Sequence, residues 1–452
     1  MMRKFFVALL VGVVTVGLAA PVYAADLKFS GAYRLRFQFD DSLPCIGNST
    51  GAECDGHQFQ ARFRPRFEVE TEGGVKGVIW LEIGDLRFGE TASVGKGATG
   101  GAGNDGVNVE TKWAYIDFPI PATPLRFRGG LMAFNTNKDL LLADDGPGIQ
   151  VYGKLGEADV KAWWMRANDG AATPIGSEGQ NANDLYALDL TVSPWKDLTL
   201  NGYIIYGHDM ENTIALSTPP GEATTGVWFG IGANGKVQNF RWDADFVYGS
   251  KEINGPSAAE PKVDKEGYVL DAGIGTAIAG TPFDLEVRAW YASGDKRDGG
   301  DNEGFPTLGP TGATSPTPDH NTGAQIWGNG GVVDIDELAD TPENTWGIGL
   351  NVRYTVSPTF RLSGNITYIG ANEEGTAAGG NAPVGNGNLF GVDSVGTDIG
   401  IRADYTIAKG LVFTGLISYL SLGDDTAAFP VGGVTVRFDD IVKIAGVLNY
   451  GF

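Results

Sequence analysis

Apolar and polar residues alternate along most of this chain of 452 residues. In the first alternating segment the apolar residues stand at odd positions: Leu27, Phe29, Tyr33, Leu35, Phe37 and Phe39. The even positions between them carry Lys28, Arg34, Arg36 and Gln38. Successive side chains of a β-strand point to opposite faces, so this segment has one apolar and one ionic face. The pattern recurs to the end of the chain and predicts an all-β protein.

The sequence predicts eighteen such strands, joined alternately by short turns and long polar loops. They lie near 27–39, 58–70, 75–86, 109–118, 125–133, 148–155, 158–167, 184–193, 198–208, 226–233, 237–248, 267–278, 283–292, 345–356, 360–369, 396–407, 411–421 and 435–452. Segments 148–155 and 226–233 are short, so sixteen strands is the alternative count.

The segment length indicates a membrane-spanning sheet. A tilted strand of about ten residues crosses the hydrocarbon layer. Short turns on one rim and long loops on the other are typical of transmembrane barrels, with the turns in the periplasm and the loops outside. Because unpaired backbone groups are not tolerated in lipid, the first and last strands must pair. We therefore expect residues 25–452 to form a single transmembrane antiparallel β-barrel whose longest loop is 293–344.

The first 24 residues have the features of a cleaved signal peptide. Arg3 and Lys4 precede an apolar stretch over 5–18, and Val22-Tyr23-Ala24 offers small residues for cleavage. A retained membrane anchor is the less favoured alternative. We expect cleavage after Ala24 and export beyond the cytoplasm.

Two cysteines, Cys45 and Cys54, lie nine residues apart in a Gly/Asp/Ser-rich loop. Export makes a disulfide the expected state, and closing this loop would stabilise the fold by roughly 2–3 kcal/mol. A metal site is disfavoured because His57 is the only further ligand close in sequence.

Charge and motif content exclude several classes of function. The formal net charge of −22 disfavours a nucleic-acid partner. The three histidines, His57, His208 and His320, lie in or beside predicted loops without a paired nucleophile. We therefore expect neither an enzyme nor a bound cofactor.

Arginines are the most informative candidate site residues. On the first two strands, five of them share one predicted lumen wall: Arg34, Arg36, Arg62, Arg64 and Arg66. Arg126 and Arg128 repeat the pattern three strands further on. The carboxylates expected to face these arginines, also inward by alternation, are Glu82, Glu110, Asp243, Asp245, Asp271, Asp284, Glu286 and Asp404.

Two interpretations of these charges remain open. Opposed walls of fixed charge would create a transverse field that selects solutes in a pore. Alternatively, the same residues form ion-pair ladders that stiffen the barrel. The ion preference stays open as well, because the acidic chain attracts cations and the arginines attract anions.

An acidic cluster in the longest loop is a weak Ca²⁺ candidate. It comprises Asp295, Asp298, Asp301 and Glu303. Oxygen ligands suit Ca²⁺, but the spacing does not match the EF-hand loop. A solvated acidic loop is therefore the favoured interpretation.

The chain resembles the outer-membrane porins of Gram-negative bacteria. The likeness rests on the signal peptide, the alternating strands throughout 25–452, the turn and loop asymmetry, and the terminal Tyr450-Gly451-Phe452. The resemblance implies a homotrimer of water-filled barrels, embedded in outer-membrane lipid and lipopolysaccharide, that pass small polar or charged solutes and ions by passive diffusion. Tyr450 and Phe452 are similar to the signal that the outer-membrane assembly machinery recognises.

One departure from the family pattern concerns the constriction. Porins of this type fold a long third loop into the pore, whereas here the third loop, 134–147, is moderate and 293–344 has 52 residues. Loops 293–344 and 87–108 are therefore as good candidates for a constriction as the third loop. A substrate-selective channel constricted by a long loop, or a non-conducting barrel used as a scaffold or adhesin, are the alternative functions.

Overall fold

The computed structural model describes residues 25–41, 56–89, 109–168, 183–208, 225–253, 263–295, 302–306, 308, 324, 326, 344–373, 394–423, 428–431, 434–437 and 440–452. The predicted signal peptide and the Cys45–Cys54 disulfide lie outside these residues. Within the described part of the chain, none of the helices is both long and apolar enough to cross a membrane.

The described residues form strands and one short 3-10 helix, η1 (Asn137–Asp139). The strands are β1 (Ala25–Asp41), β2 (Gly56–Thr71), β3 (Lys76–Arg87), β4 (Val109–Pro119), β5 (Leu125–Asn135), β6 (Ala143–Leu155), β7 (Ala158–Asn168), β8 (Asn183–Trp195), β9 (Leu198–His208), β10 (Thr225–Val237), β11 (Phe240–Ile253), β12 (Val263–Ala277), β13 (Phe283–Ala292), β14 (Thr345–Ser357), β15 (Phe360–Ala371), β16 (Ser394–Ala408), β17 (Leu411–Leu422), β18 (Ala428–Val431), β19 (Val434–Arg437) and β20 (Ile441–Gly451).

Eighteen of these strands close into one antiparallel barrel. Each strand from β1 to β16 pairs with the next in sequence, and β20 pairs with both β17 and β1. The prediction of 18 strands with short turns on one rim is confirmed, and the alternative of sixteen is wrong. The two segments that looked short are full-length strands: β6 also includes residues 143–147, and β10 runs on to the turn at 238–239.

The prediction for the last strand was wrong at its start. Residues 434–437 do not belong to the barrel but pair with 428–431 in a separate hairpin. The barrel strand begins at Ile441, just after Asp440, whose carboxylate accepts hydrogen bonds from the Tyr419 hydroxyl and, at 2.9 Å, from the backbone N–H of Leu422. The alternating pattern cannot separate the two, since a hairpin strand alternates in the same way.

The outer face of the barrel is apolar, as alternation predicts. Exposed side chains include Leu27, Phe29, Ile231, Ile401 and Ile417, each more than half exposed. A closed sheet with such an exterior satisfies its backbone internally and presents apolar side chains outward, which are the conditions for spanning lipid.

Phe452 sits on the seam where the barrel closes. Its backbone N–H and carbonyl both bond to Gly31 at 3.1 Å. Its ring centroid lies 5.4 Å from that of Phe29 and 6.0 Å from that of Phe63. The last residue therefore holds the first and last strands together through backbone and side chain.

Replacing Phe452 with Ala is expected to destabilise the folded barrel by about 2–4 kcal/mol, because three ring contacts, with Phe29, Phe63 and Tyr450, worth roughly 0.5–1.5 kcal/mol each are lost. Urea unfolding in lipid vesicles measures the change. The matched control is Phe88→Ala, since Phe88 is 57% exposed and stacks on Phe59 at 6.5 Å. Equal stability of the two variants would contradict the role of Phe452 at the seam.

Candidate functional site in the barrel interior

Five arginines form one inward-facing patch on β1 and β2, here called the arginine wall: Arg34, Arg36, Arg62, Arg64 and Arg66. They alternate with the exposed apolar residues of the same strands and therefore point into the barrel. Arg34 lies directly opposite Arg62 in the register. Arg36 is 5% exposed and donates a hydrogen bond to Gln60.

Part of the arginine wall forms ion pairs with carboxylates on β2 and on the neighbouring strand β3. Arg64 Nε lies 2.5 Å from a Glu82 carboxylate oxygen, and Arg62 lies 3.9 Å from the same carboxylate. Arg66 contacts Glu68 at 3.1 Å. The predicted position of Glu82 across the lumen from the arginines is therefore wrong, because Glu82 lies on β3, the strand next to β2. Its carboxylate offsets the charge of Arg62 and Arg64.

Aromatic rings lie beside these guanidinium groups. Arg64 stands 6.0 Å from the centroid of Trp80, and Arg66 stands 5.6 Å from that of Trp113. The two indoles meet edge to face at 4.4 Å. Cation–π attraction of this kind fixes the direction of a guanidinium without neutralising its charge.

Arg126 and Arg128 share a single buried carboxylate, that of Asp117 on the adjacent strand. Their nitrogens lie 2.5 and 2.9 Å from its oxygens, and the Tyr152 hydroxyl donates to it at 2.5 Å. The side chain of Asp117 is 2% exposed. This cluster supports the ladder interpretation, and alternation alone did not single out Asp117.

Asp117→Asn is expected to cost about 2–4 kcal/mol of stability, because two partly buried guanidinium groups lose their counter-charge. Urea unfolding of the reconstituted barrel measures it. The control is Asp159→Asn, whose partner Lys154 lies 2.8 Å away and is 65% exposed. That surface pair should contribute nothing measurable to the free energy of unfolding. An equal loss of stability in Asp159→Asn would contradict the stabilising role of Asp117.

The carboxylates on β11 to β13 form a second patch, here called the carboxylate wall: Asp243, Asp245, Asp271, Asp284 and Glu286. In an 18-stranded ring, β11 lies nine strands from β2, which is half the circumference. The carboxylate wall therefore lies across the lumen from the arginine wall, as the transverse-field interpretation requires.

Arg241 and Arg288, which are not among the predicted site residues, join the carboxylates of the carboxylate wall. Arg241 contacts Asp284 at 2.6 Å and Glu286 at 3.2 Å. Arg288 contacts Asp271 at 2.5 Å and Asp243 at 2.9 Å. Both arginines are inward by the same alternation, so the period-two pattern could have found them.

Glycines on β12 leave space for the side chains of Arg241 and Arg288 to extend over this strand. A Cβ placed on Gly273 would come within 2.6 Å of Arg288, and one on Gly275 within 2.6 Å of Arg241. The two arginines can therefore join β11 to β13 only because the strand between them carries no side chain at those positions.

The remaining predicted site residues lie apart from these walls. Asp404 pairs with Arg361 and Arg402, each at 2.8 Å. Glu110 is exposed near the start of β4 and faces Glu82 in the register. Of the four Ca²⁺ candidates, Asp295 and Glu303 are described and Asp298 and Asp301 are not, so that site stays a prediction.

The connection between β5 and β6 enters the barrel. Asn137 donates to Asp245 at 2.5 Å, and Lys138 contacts both Asp243 and Asp245 on the carboxylate wall. From the sequence, this third loop, 293–344 and 87–108 are equally good candidates for a constriction, and the third loop is one that the structure places inside the barrel. The sequence could not show it, because the contact joins residues more than 100 positions apart.

Buried leucines hold this connection in place. Leu140, Leu141 and Leu142 are at most 2% exposed and belong to an apolar cluster with inward residues of the strands. Thr136 Oγ1 accepts hydrogen bonds from the backbone N–H groups of Leu141 and Leu142 at 3.1 and 3.2 Å. The lumen is thus partly filled at this level by a short, ordered segment.

Loop 293–344 also contributes residues to the interior. Phe305 and Leu308 are buried in the same cluster as Trp228, whose indole N–H donates to the Pro306 carbonyl at 2.8 Å. Ile326 packs in a second cluster, and its backbone N–H donates to Asp398 at 2.7 Å. The described residues of this loop therefore contact the wall at β10 and again at β16, near the extracellular rim.

Fold and interior together define a transmembrane β-barrel with charged walls and two loop segments in its lumen. Three similar solved structures are Pseudomonas aeruginosa outer-membrane proteins. The outer-membrane protein OpdK has a TM-score of 0.58 at 12% identity, over 94% of this chain and 99% of its own. OccK8 (OprE) has a TM-score of 0.55 at 12% identity, over 94% of this chain and 98% of its own. OpdK solved with vanillate has a TM-score of 0.57 at 11% identity, over 94% of this chain and 98% of its own.

No family model and no curated protein matches the chain. The fold is that of the Gram-negative outer-membrane porins, whose barrels reside in the outer membrane.

Proposed function

We propose that this chain is an outer-membrane channel through which small charged solutes diffuse. The observation that carries the proposal is the arginine wall facing the carboxylate wall across a lumen that two loop segments narrow. Fixed charges of opposite sign on opposite sides orient water and screen solutes by charge and dipole. Inserted loops limit solute size, so the channel selects on both properties.

Small anions, carboxylates above all, are the solutes that this interior favours. Arg34 and Arg62 are directly opposite in the register, and like charges so placed repel each other. An anion that passes between them relieves the repulsion, and a guanidinium matches a carboxylate with two parallel hydrogen bonds. The carboxylate wall is bridged by Arg241, Arg288 and Lys138, which reduces its attraction for cations.

Several further features extend the proposal. We expect a homotrimer in lipid and lipopolysaccharide, removal of residues 1–24, a Cys45–Cys54 disulfide, and recognition of Tyr450 and Phe452 by the assembly machinery. The family resemblance supports the trimer and the assembly signal. Cross-linking of the purified protein in detergent, followed by mass measurement, tests the trimer.

A liposome-swelling assay tests the function. Vesicles containing the protein are diluted into iso-osmotic solutions of a small monocarboxylate, an organic cation of similar size, and a trisaccharide. We expect the carboxylate to enter fastest and the trisaccharide slowest. Vesicles without protein and vesicles with heat-unfolded protein are the controls. Failure of every solute to enter through folded protein would favour the non-conducting scaffold instead.

A further inference from the structure

Lys138 bridges two distant parts of the barrel. It lies in η1, between β5 and β6, yet its ammonium group contacts Asp243 and Asp245 on β11 and lies 3.5 Å from Asp271 on β12. Its neighbour Asn137 donates to Asp245 at 2.5 Å. The tip of this connection is therefore fastened to the carboxylate wall by an ion pair and a hydrogen bond.

The backbone at the tip is in a conformation that suits few residues. Lys138 has a φ of 51° and Asp139 a φ of 59°, in the left-handed region that non-glycine residues rarely occupy. Such conformations persist where surrounding contacts determine them, and they concentrate at functional sites. The contacts that determine this one are the ion pairs of Lys138 and the buried leucines behind it.

The charge of the carboxylate wall depends on this lysine. Oxygens of Asp243, Asp245 and Asp271 lie within 4.8 Å of one another, which gives a formal charge of −3. Arg288 pairs with Asp271 and Asp243 from the wall itself. Lys138 supplies the second positive charge, and it arrives from the loop. Without it the cluster would be a strong attractor of cations within the lumen.

A glycine on β10 leaves room for the contacts of Asn137 and Lys138 with the carboxylate wall. A Cβ placed on Gly232 of β10 would overlap the Asp245 carboxylate and come within 2.9 Å of the Asn137 amide nitrogen. Asp271 is 1% exposed, and Asp245 is 6% exposed. The site is thus built to enclose the tip of the connection, with a glycine where any side chain would block it.

We propose that Lys138 is the residue that determines the sign of the charge selectivity of the channel. It reduces the negative charge of the carboxylate wall opposite the arginines and holds the β5–β6 connection across the lumen, so that the positive charge of the arginine wall sets the preference for anions. This inference rests on the proposed channel function and assigns its selectivity to a particular ion-pair cluster.

The experiment compares the reversal potential of purified, bilayer-inserted variants in a KCl gradient. Lys138→Gln is expected to raise the K⁺/Cl⁻ permeability ratio by at least about threefold, because the lumen carboxylates Asp243 and Asp245 lose a counter-charge. Lys138→Arg should retain the wild-type ratio. Lys138→Gln combined with Asp245→Asn should return the ratio toward wild type, since the charge balance is restored.

The matched control is Lys154→Gln. Lys154 is 65% exposed and lies beside the periplasmic turn at 156–157, so the same charge change there should leave the ratio unchanged. The shift of electrophoretic mobility on heating shows that each variant is folded.

The outcomes separate the two proposals. A conducting wild type with an unaltered ratio in folded Lys138→Gln overturns the role of Lys138 alone. A double variant that stays as shifted as the single one also overturns it, because charge balance would then not be the cause. A folded wild type that carries no current overturns the channel function, and the selectivity role with it.

Discussion

Replacing residues 296–343 with a short glycine-containing turn is expected to raise single-channel conductance several-fold. Phe305, Leu308 and Ile326 are buried in the lumen near the extracellular rim, in contact with strand residues of β10 and β16. Removing them widens the lumen near this rim, and conductance rises with the open cross-section. Planar-bilayer recording in symmetric salt measures the change.

The control for this deletion is removal of the β18–β19 hairpin. Its two strands pair with each other in a sheet separate from the barrel, so its loss should alter conductance far less. An unchanged conductance after replacement of 296–343 would show that the narrowest level lies elsewhere, at the β5–β6 connection.

Neutralising the centre of the arginine wall is expected to abolish the preference for anions. Arg34 and Arg62 face each other in the register, and two unit charges a few ångströms from a passing ion contribute on the order of 1 kcal/mol in water, or roughly a fivefold change in relative permeability. In the Arg34→Gln, Arg62→Gln double variant we therefore expect the Cl⁻/K⁺ permeability ratio to fall about fivefold. Reversal potentials in a salt gradient measure it.

Lys28→Gln combined with Lys76→Gln is the control for this prediction. Both lysines contact Glu68 and Glu70 at the periplasmic end of the same strands. Screening at physiological salt confines their fields to about 8 Å, so this pair should leave the ratio near the wild-type value. Equal changes of the Cl⁻/K⁺ permeability ratio in both double variants would mean that the total charge of the protein, and not the position of the charge in the lumen, sets the preference for anions.

The strand pattern was predictable because its cause is local. Alternation along each segment fixes which side chains face lipid, and the even positions of β1 and β2 place all five arginines on one wall from the sequence alone. Strand ends were less predictable. Polar residues such as Asp144 and Asp145 suggested a loop, whereas pairing with β5 keeps them extended.

The interior contacts were not predictable in the same way. Alternation gives the face on which Glu82 or Asp243 lies but not the partner that reaches it. Alternation therefore allowed Glu82 to be placed across the lumen from the arginines, whereas its carboxylate pairs with Arg64 on the adjacent strand. The bridge from Lys138 to Asp243 spans 105 positions. It depends on how a seven-residue connection folds over its buried leucines, which no periodicity encodes.

The most direct test of the channel function is single-channel conductance of the purified wild-type protein in a planar bilayer, with the reversal potential recorded in a KCl gradient. We predict stepwise conductance and a reversal potential of the sign that favours Cl⁻ over K⁺. Correctly inserted, folded protein that shows no conductance would contradict a channel, and a reversal potential favouring K⁺ would contradict selection by the arginine wall.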